Sequence, residues 1–169
     1  KFQEAPYTNS IEFVNHLKQH TPAQYQYLIN DMFETITLYD NKVDEVKVTP
    51  LKDGTYQVDI SFIVSKYKTG PKGDQLYTDA SGKTLLGKEG SKDVKSYPMQ
   101  DFVEIGVFGE KILKGKHEYE NELYNKKYLI NKVNNKVRII VDKKPFEVGV
   151  DPYNKLIDRN SNDNRKKVD

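Results

Sequence analysis

At 169 residues, with 27 Lys and Arg against 25 Asp and Glu for a net charge of +2, the chain is long enough for one ordinary domain with a real core, and it carries no one-sided charge that would draw nucleic acid or an anionic membrane. The absence of cysteine excludes disulfides, thiolate zinc sites and cysteine nucleophiles. No run approaches the length of an apolar membrane span, so direct membrane insertion is not expected, and the opening KFQEAPYTNS has neither the apolar stretch nor the cleavage site of a signal peptide.

Residues 10 to 36 follow a helical period. In NSIEFVNHLKQH, Asn9 and Glu12 stand in capping-box relation, and Ile11, Val14 and Leu17 form a weak apolar stripe. In TPAQYQYLINDMFETI, Thr21 is placed as a cap, Pro22 suits the first helical position and Gln24 completes a second capping box. Tyr25, Leu28, Ile29, Met32, Phe33 and Ile36 then recur at three- and four-residue spacing, which predicts a second helix whose apolar face must be buried against something.

After Leu38 the period changes to two. In GTYQVDISFIVSKYK, Tyr56, Val58, Ile60, Phe62 and Val64 alternate with polar residues, as in a strand with one buried face. Asp53-Gly54 joins it to VDEVKVT, so residues 43 to 65 read as a β-hairpin. Residues 68 to 97 are polar and glycine-rich and read as a surface excursion, with a small hairpin around Ser81-Gly82. Further alternating runs lie at DFVEIGVF, LYNKKYLI, KVRIIVD and PFEVGV, the middle two separated by a turn at Asn134-Asn135, and GEKILKGKHEYENELYNKK reads as a solvated hairpin rim. Strands in series without intervening helices predict a mainly β protein, an antiparallel Ig-like β-sandwich preceded by a two-helix segment. The expected division is a helical segment over residues 1 to 38, a sandwich over 39 to 150, and a C-terminal strap and tail over 151 to 169.

Motifs for catalysis are sparse. His16 and His20 sit four apart on the first helix, a spacing two-histidine zinc sites use, but LKQ between them supplies no glutamate base, and His117 falls in an expected loop. There is no G-x-S-x-G elbow and no glycine-rich phosphate loop. Among the twelve tyrosines, Tyr25 and Tyr56 fall in apolar registers and read as core, which leaves Tyr67, Tyr77, Tyr97 and Tyr124 as candidates for a ligand platform. The spacing of Asp158, Asn160 and Asn162, with Asp169 twelfth, imitates a calcium loop but has Asp163 where the sharp turn needs glycine; ordinary turn chemistry accounts for the same residues.

The combination DMFETITLYDNKV, DGTYQVDISFIVSKYK and PFEVGVDPYNKLIDRNSNDNRKKV resembles the C-terminal end of bacterial proteins in which an ABC transporter permease is fused to an aminopeptidase N-like zinc metallopeptidase of the gluzincin type. VDPYNKLIDRN is the most specific match, and the excursion at 68 to 97 is longer than the family leads one to expect. The catalytic motif of that family does not occur here, so the resemblance implies no catalytic residue and no cofactor in this chain, with zinc only in a catalytic domain elsewhere in the polypeptide. It implies a non-catalytic accessory sandwich whose partner is the remainder of its own polypeptide, in the soluble portion of a membrane-anchored bacterial protein. The start without Met fits a piece of a longer protein. On this reading Asp151 and Pro152 turn the chain after the last strand, and Tyr153, Leu156 and Ile157 anchor a strap on an apolar surface. Asn154, Asp158 and Arg159, together with Asn160, would supply polar pairings within the domain or across to its partner, and beyond Asn160 the tail is expected to fray. The alternatives are a stand-alone Ig-like binding or adhesion module for a protein or glycan, and a calcium-binding module.

Overall fold

The computed structural model describes residues 5–70, 75–78, 84–86 and 100–168. It is mainly β, with antiparallel sheets behind a short helical segment. The first sheet contains β1 (Ile36–Pro50), β2 (Tyr56–Thr69), β3 (Gln75–Thr78) and β4 (Thr84–Leu86) in that order, with β9 (Asn134–Val141) also pairing β2. The second contains β5 (Asp101–Phe108), β8 (Glu122–Ile130), β10 (Glu147–Val150) and β11 (Arg165–Lys167) in the order β11-β10-β5-β8. A two-stranded arm, β6 (Ile112–Lys114) and β7 (His117–Tyr119), stands apart and is exposed throughout, as expected of a hairpin rim.

The period-two pattern of β2 produces the core directly. Val58, Ile60, Phe62 and Val64 are buried, with Tyr56 half-buried behind them, and their neighbours Gln57, Asp59 and Ser61 lie on the other face. Across the sheet Tyr56, Val58 and Ile60 pair with Val141, Ile139 and Val137 of β9. Val103, Ile105 and Val107 of β5 and Val148 and Val150 of β10 face them from the second sheet in one apolar cluster. The Asp53-Gly54 turn is present: Gly54 takes φ 86°, and the Asp53 carboxylate accepts from the Thr55 N–H at 3.0 Å and from its hydroxyl at 2.7 Å.

Five sequence expectations require correction. The first hairpin is longer than residues 43 to 65, and a bulge between Val43 and Glu45 switches the inward set from Tyr39, Asn41 and Val43 to Val46 and Val48. Asn134-Asn135 is not a turn; both residues belong to β9, and the connection from β8 crosses between sheets at 131–133. The second helix is broken into a 3-10 turn (Ala23–Tyr25), one α turn (α2, Gln26–Ile29) and a π turn (Asn30–Glu34). The capping box at Thr21 and Gln24 does not form; the Gln26 amide instead donates to the Lys18 and Thr21 carbonyls, while the Asn9–Glu12 box on α1 (Ser10–His20) does form. Lastly, the tail beyond Asn160 is not frayed. A 3-10 turn at Ser161–Asp163 leads into β11, which pairs with β10, and Asn164 is fully buried, so polar pairing orders a segment with almost no apolar anchor. A small hairpin is present where β3 pairs β4, while Ser81-Gly82 and Tyr97 lie outside the described residues.

Candidate functional site

The polar chemistry of the molecule converges where the helical segment, the start of β5 and the segment 151–160 meet. At its centre Lys66, only 4% exposed, lies between two carboxylates. Its ammonium donates to both oxygens of Asp101, at 3.0 and 3.2 Å, and pairs closely with Asp31 of the π turn. The Tyr39 hydroxyl donates to Asp101 at 3.3 Å, and the rings of Tyr27 and Tyr39 stand 5.3 and 5.8 Å from the ammonium. Lys68 adds a second ammonium, 3.4 Å from Asp31 and 2.8 Å from the Asn30 side-chain oxygen. Two ammonium groups thus balance two carboxylates in a largely dry site, the condition under which buried charge is tolerated. Burial raises the Asp101 carboxyl above its ordinary range, with Lys66 working against that shift. Burial also raises the Tyr39 phenol, with Asp101 adding to it, and burial raises Tyr27. The cluster fastens the helical segment to both sheets.

The segment after β10 is held differently. Asp151, buried at φ 45°, directs its carboxylate to the backbone N–H groups of Lys155 (3.0 Å) and Leu156 (2.9 Å), closing a tight loop, and burial raises its carboxyl. Pro152 is buried where a Cβ on Gly149 or Gly106 would lie 2.7 and 3.1 Å from its ring atoms. Asn154 takes φ 51°, and its N–H donates to the Asp151 carbonyl at 2.9 Å. The chain then runs parallel beside β1: Tyr39 N–H donates to the Ile157 carbonyl (2.8 Å) and Arg159 N–H to the Tyr39 carbonyl (2.9 Å).

Asp158 spends both of its carboxylate oxygens on main-chain donors. One carboxylate oxygen accepts from Asn160 N–H at 2.8 Å and the other from Asn41 N–H at 2.8 Å. With its nitrogen turned to these acceptors, the Asn164 amide donates to the Asn41 carbonyl (2.6 Å) and to Asp158 (3.2 Å). Backbone donors therefore occupy the oxygens that a calcium loop would aim at its ion.

Of the three expected apolar anchors only Leu156 packs on the core. Tyr153 lies edge-on to Phe108 at 6.0 Å and donates its hydroxyl to Glu122 at 2.7 Å, which pushes its phenol up to about 12. Ile157 is 69% exposed and contributes its carbonyl alone. The Arg159 guanidinium stands 5.7 Å from the Tyr67 ring. Tyr124 shares a 2.5 Å hydroxyl contact with Tyr128 and packs on the core, so Tyr67 and Tyr124 both have partners within the chain. The His16 and His20 rings lie 4.2 Å apart, tilted by 44°, and a His20 ring nitrogen contacts the His16 carbonyl at 2.9 Å. Among the described residues no group of three or more His, Asp or Glu side chains is placed to hold a metal, and no helix is long and apolar enough to cross a membrane.

Sequence reasoning missed Asp31, Lys66, Asp101 and Glu104. A signal for two of them was present. Lys66 continues the inward register of Val58 to Val64, and Asp101 that of Val103 to Val107, so each is a charge in a core position. No protein-family model, curated protein or solved structure matches this chain.

Proposed function

We propose that this chain is a non-catalytic accessory domain, an Ig-like sandwich that supports or bounds the catalytic domain of a membrane-anchored, aminopeptidase N-like zinc metallopeptidase fused to an ABC transporter permease. The carrying observation is the helical segment. It is tied down by the Lys66 ion cluster, yet Met32 is 70% exposed and Phe13, Phe33 and Ile36 are exposed beside it, with the Phe13 and Phe33 rings 6.0 Å apart. An apolar face of this kind on a segment already anchored by charge is what an interdomain contact needs. The occupant is the remainder of the polypeptide, and the sequence resemblance of the chain, apart from the excursion at residues 68 to 97, to the end of such fusions supports that assignment.

The test uses the longer polypeptide with a specific protease site placed ahead of Lys1. After cleavage the fragment should co-elute with the catalytic part, and Met32→Glu with Phe33→Glu should release it. Separate elution of the unmutated fragment, or an upstream sequence without H-E-x-x-H, would overturn the reading. A second reading, an Ig-like module that binds a protein or glycan, draws on the β6–β7 arm, which projects Ile112, Leu113 and Tyr119 into solvent. Loss of partner binding on Leu113→Ser, with the helical face intact, would favour it.

A further inference from the structure

A cleft of about 460 Å³ opens between the helical segment, β5 and the loop after β10. Its apolar walls are Tyr25, Tyr27, Leu28, Phe102 and Leu156, with the Tyr25 and Phe102 rings 6.0 Å apart. Glu104 lines the same cleft and is 8% exposed. One of its oxygens meets the Lys155 ammonium at 2.5 Å; the other is buried and accepts no hydrogen bond among the described residues. A buried carboxylate oxygen without a donor is costly, and the strongest remedy is a charge-assisted bond. Lys155 supplies that charge incompletely: its side chain is 58% exposed, its flexible stem loses entropy by staying, and its ammonium meets one oxygen only.

We propose that this cleft is a binding site for a guanidinium group on an apolar stem, which displaces the Lys155 ammonium and engages both oxygens of Glu104. A planar guanidinium presents two parallel N–H donors where an ammonium offers a point charge. The Tyr25, Tyr27 and Phe102 rings take the stem and the cation's face. Lys127 and Lys155 at the rim disfavour a bare cation arriving without its apolar stem. Arginine in a peptide chain and a small free guanidine share this chemistry.

The experiment is a titration of the full chain with n-butylguanidinium, followed by amide chemical shifts at Phe102, Glu104 and Lys155, with n-butylurea as the neutral isostere. Saturable shifts with the cation and none with the urea are expected. Lys155→Met removes the competing ammonium and should tighten binding by about tenfold, the worth of one lost charge-assisted contact. Glu104→Gln should weaken it by at least about tenfold with the far-ultraviolet spectrum unchanged. Tightening in Lys155→Met separates displacement from a merely structural role, because losing a structural ion pair would weaken binding or leave it unaltered. A doubly blocked arginine that binds at least as well as n-butylguanidinium identifies a peptide source, and weaker binding identifies a small free guanidine. Absence of saturation in both the unmutated chain and Lys155→Met, or equal binding of the urea, overturns the site.

Discussion

The two ends of the chain attach to the same sheets by opposite means. The helical segment is secured chiefly by side-chain charge: Asp31 reaches Lys66 and Lys68, while of its apolar residues only Ile29 is fully buried, and α1 buries no residue at all. The C-terminal segment is secured by backbone: Asp151, Asp158 and Asn164 address main-chain groups, and strand pairing to β1 and β10 does the rest. An attachment by charge depends on the state of a few titrating groups. An attachment by main-chain pairing is distributed over many groups, and small errors of shape damage it.

The largest effect should come from Lys66→Met, which leaves Asp31 and Asp101 buried without their shared cation and should cost about 3–5 kcal/mol in chemical denaturation. That cost should shrink as pH falls. Burial already places the Asp101 carboxyl above its unfolded value, and losing Lys66 removes the group that holds it down. A carboxyl raised in the folded state contributes its stability fully below the unfolded pKa and loses it as pH rises through the folded one. Denaturation of both proteins from pH 7 down toward the ordinary carboxylate range should therefore show the gap closing; a constant gap would mean that Asp101 is not the group left stranded.

Gly149→Ala is the corresponding attack on the other end. The new methyl would lie 2.7 Å from Pro152 Cβ and 3.3 Å from Arg165 Cγ, an overpacking that should cost about 1–3 kcal/mol. Hydrogen exchange should accelerate at Leu156 and Asn41, whose N–H groups serve the Asp151 and Asp158 carboxylates, while the amides around Asp31 keep their protection. The smallest effect is expected from Asn9→Ala, which removes the α1 cap at a local cost of about 1 kcal/mol. Because α1 buries nothing, exchange at Phe13 should rise while the global unfolding midpoint stays in place.

The strands were largely legible because a half-buried sheet writes its register into alternate residues, and β2 and β9 obey that pattern over most of their length, whereas β5 is buried throughout except at Phe102. The bulge in β1 is marked only by the adjacent Asp44 and Glu45 between Val43 and Val46, where the alternation reverses its sense. The second helix misled for a different reason. Its apolar spacing is genuine and Ile29 is buried, but Asp31 docks beside it, paired with Lys66, and the π turn that carries Asp31 leaves Met32 and Phe33 exposed. The site was the least legible part. Asp158 and Asn41 are separated by 117 positions, and a carboxylate that will cap a distant backbone N–H looks like any other turn residue.

The notch that receives Pro152 belongs to neither strand alone. Gly106 of β5 and Gly149 of β10 are direct partners in the ladder, so the hollow exists only once those two strands have zipped in register. Pro152 then serves as a proofreader of that pairing: a slip by one residue would set Ile105 or Val107 opposite Gly149, fill the hollow and leave the last stretch of chain without a seat. The seat for Pro152 is therefore a product of the β5–β10 pairing and is absent from either strand taken singly.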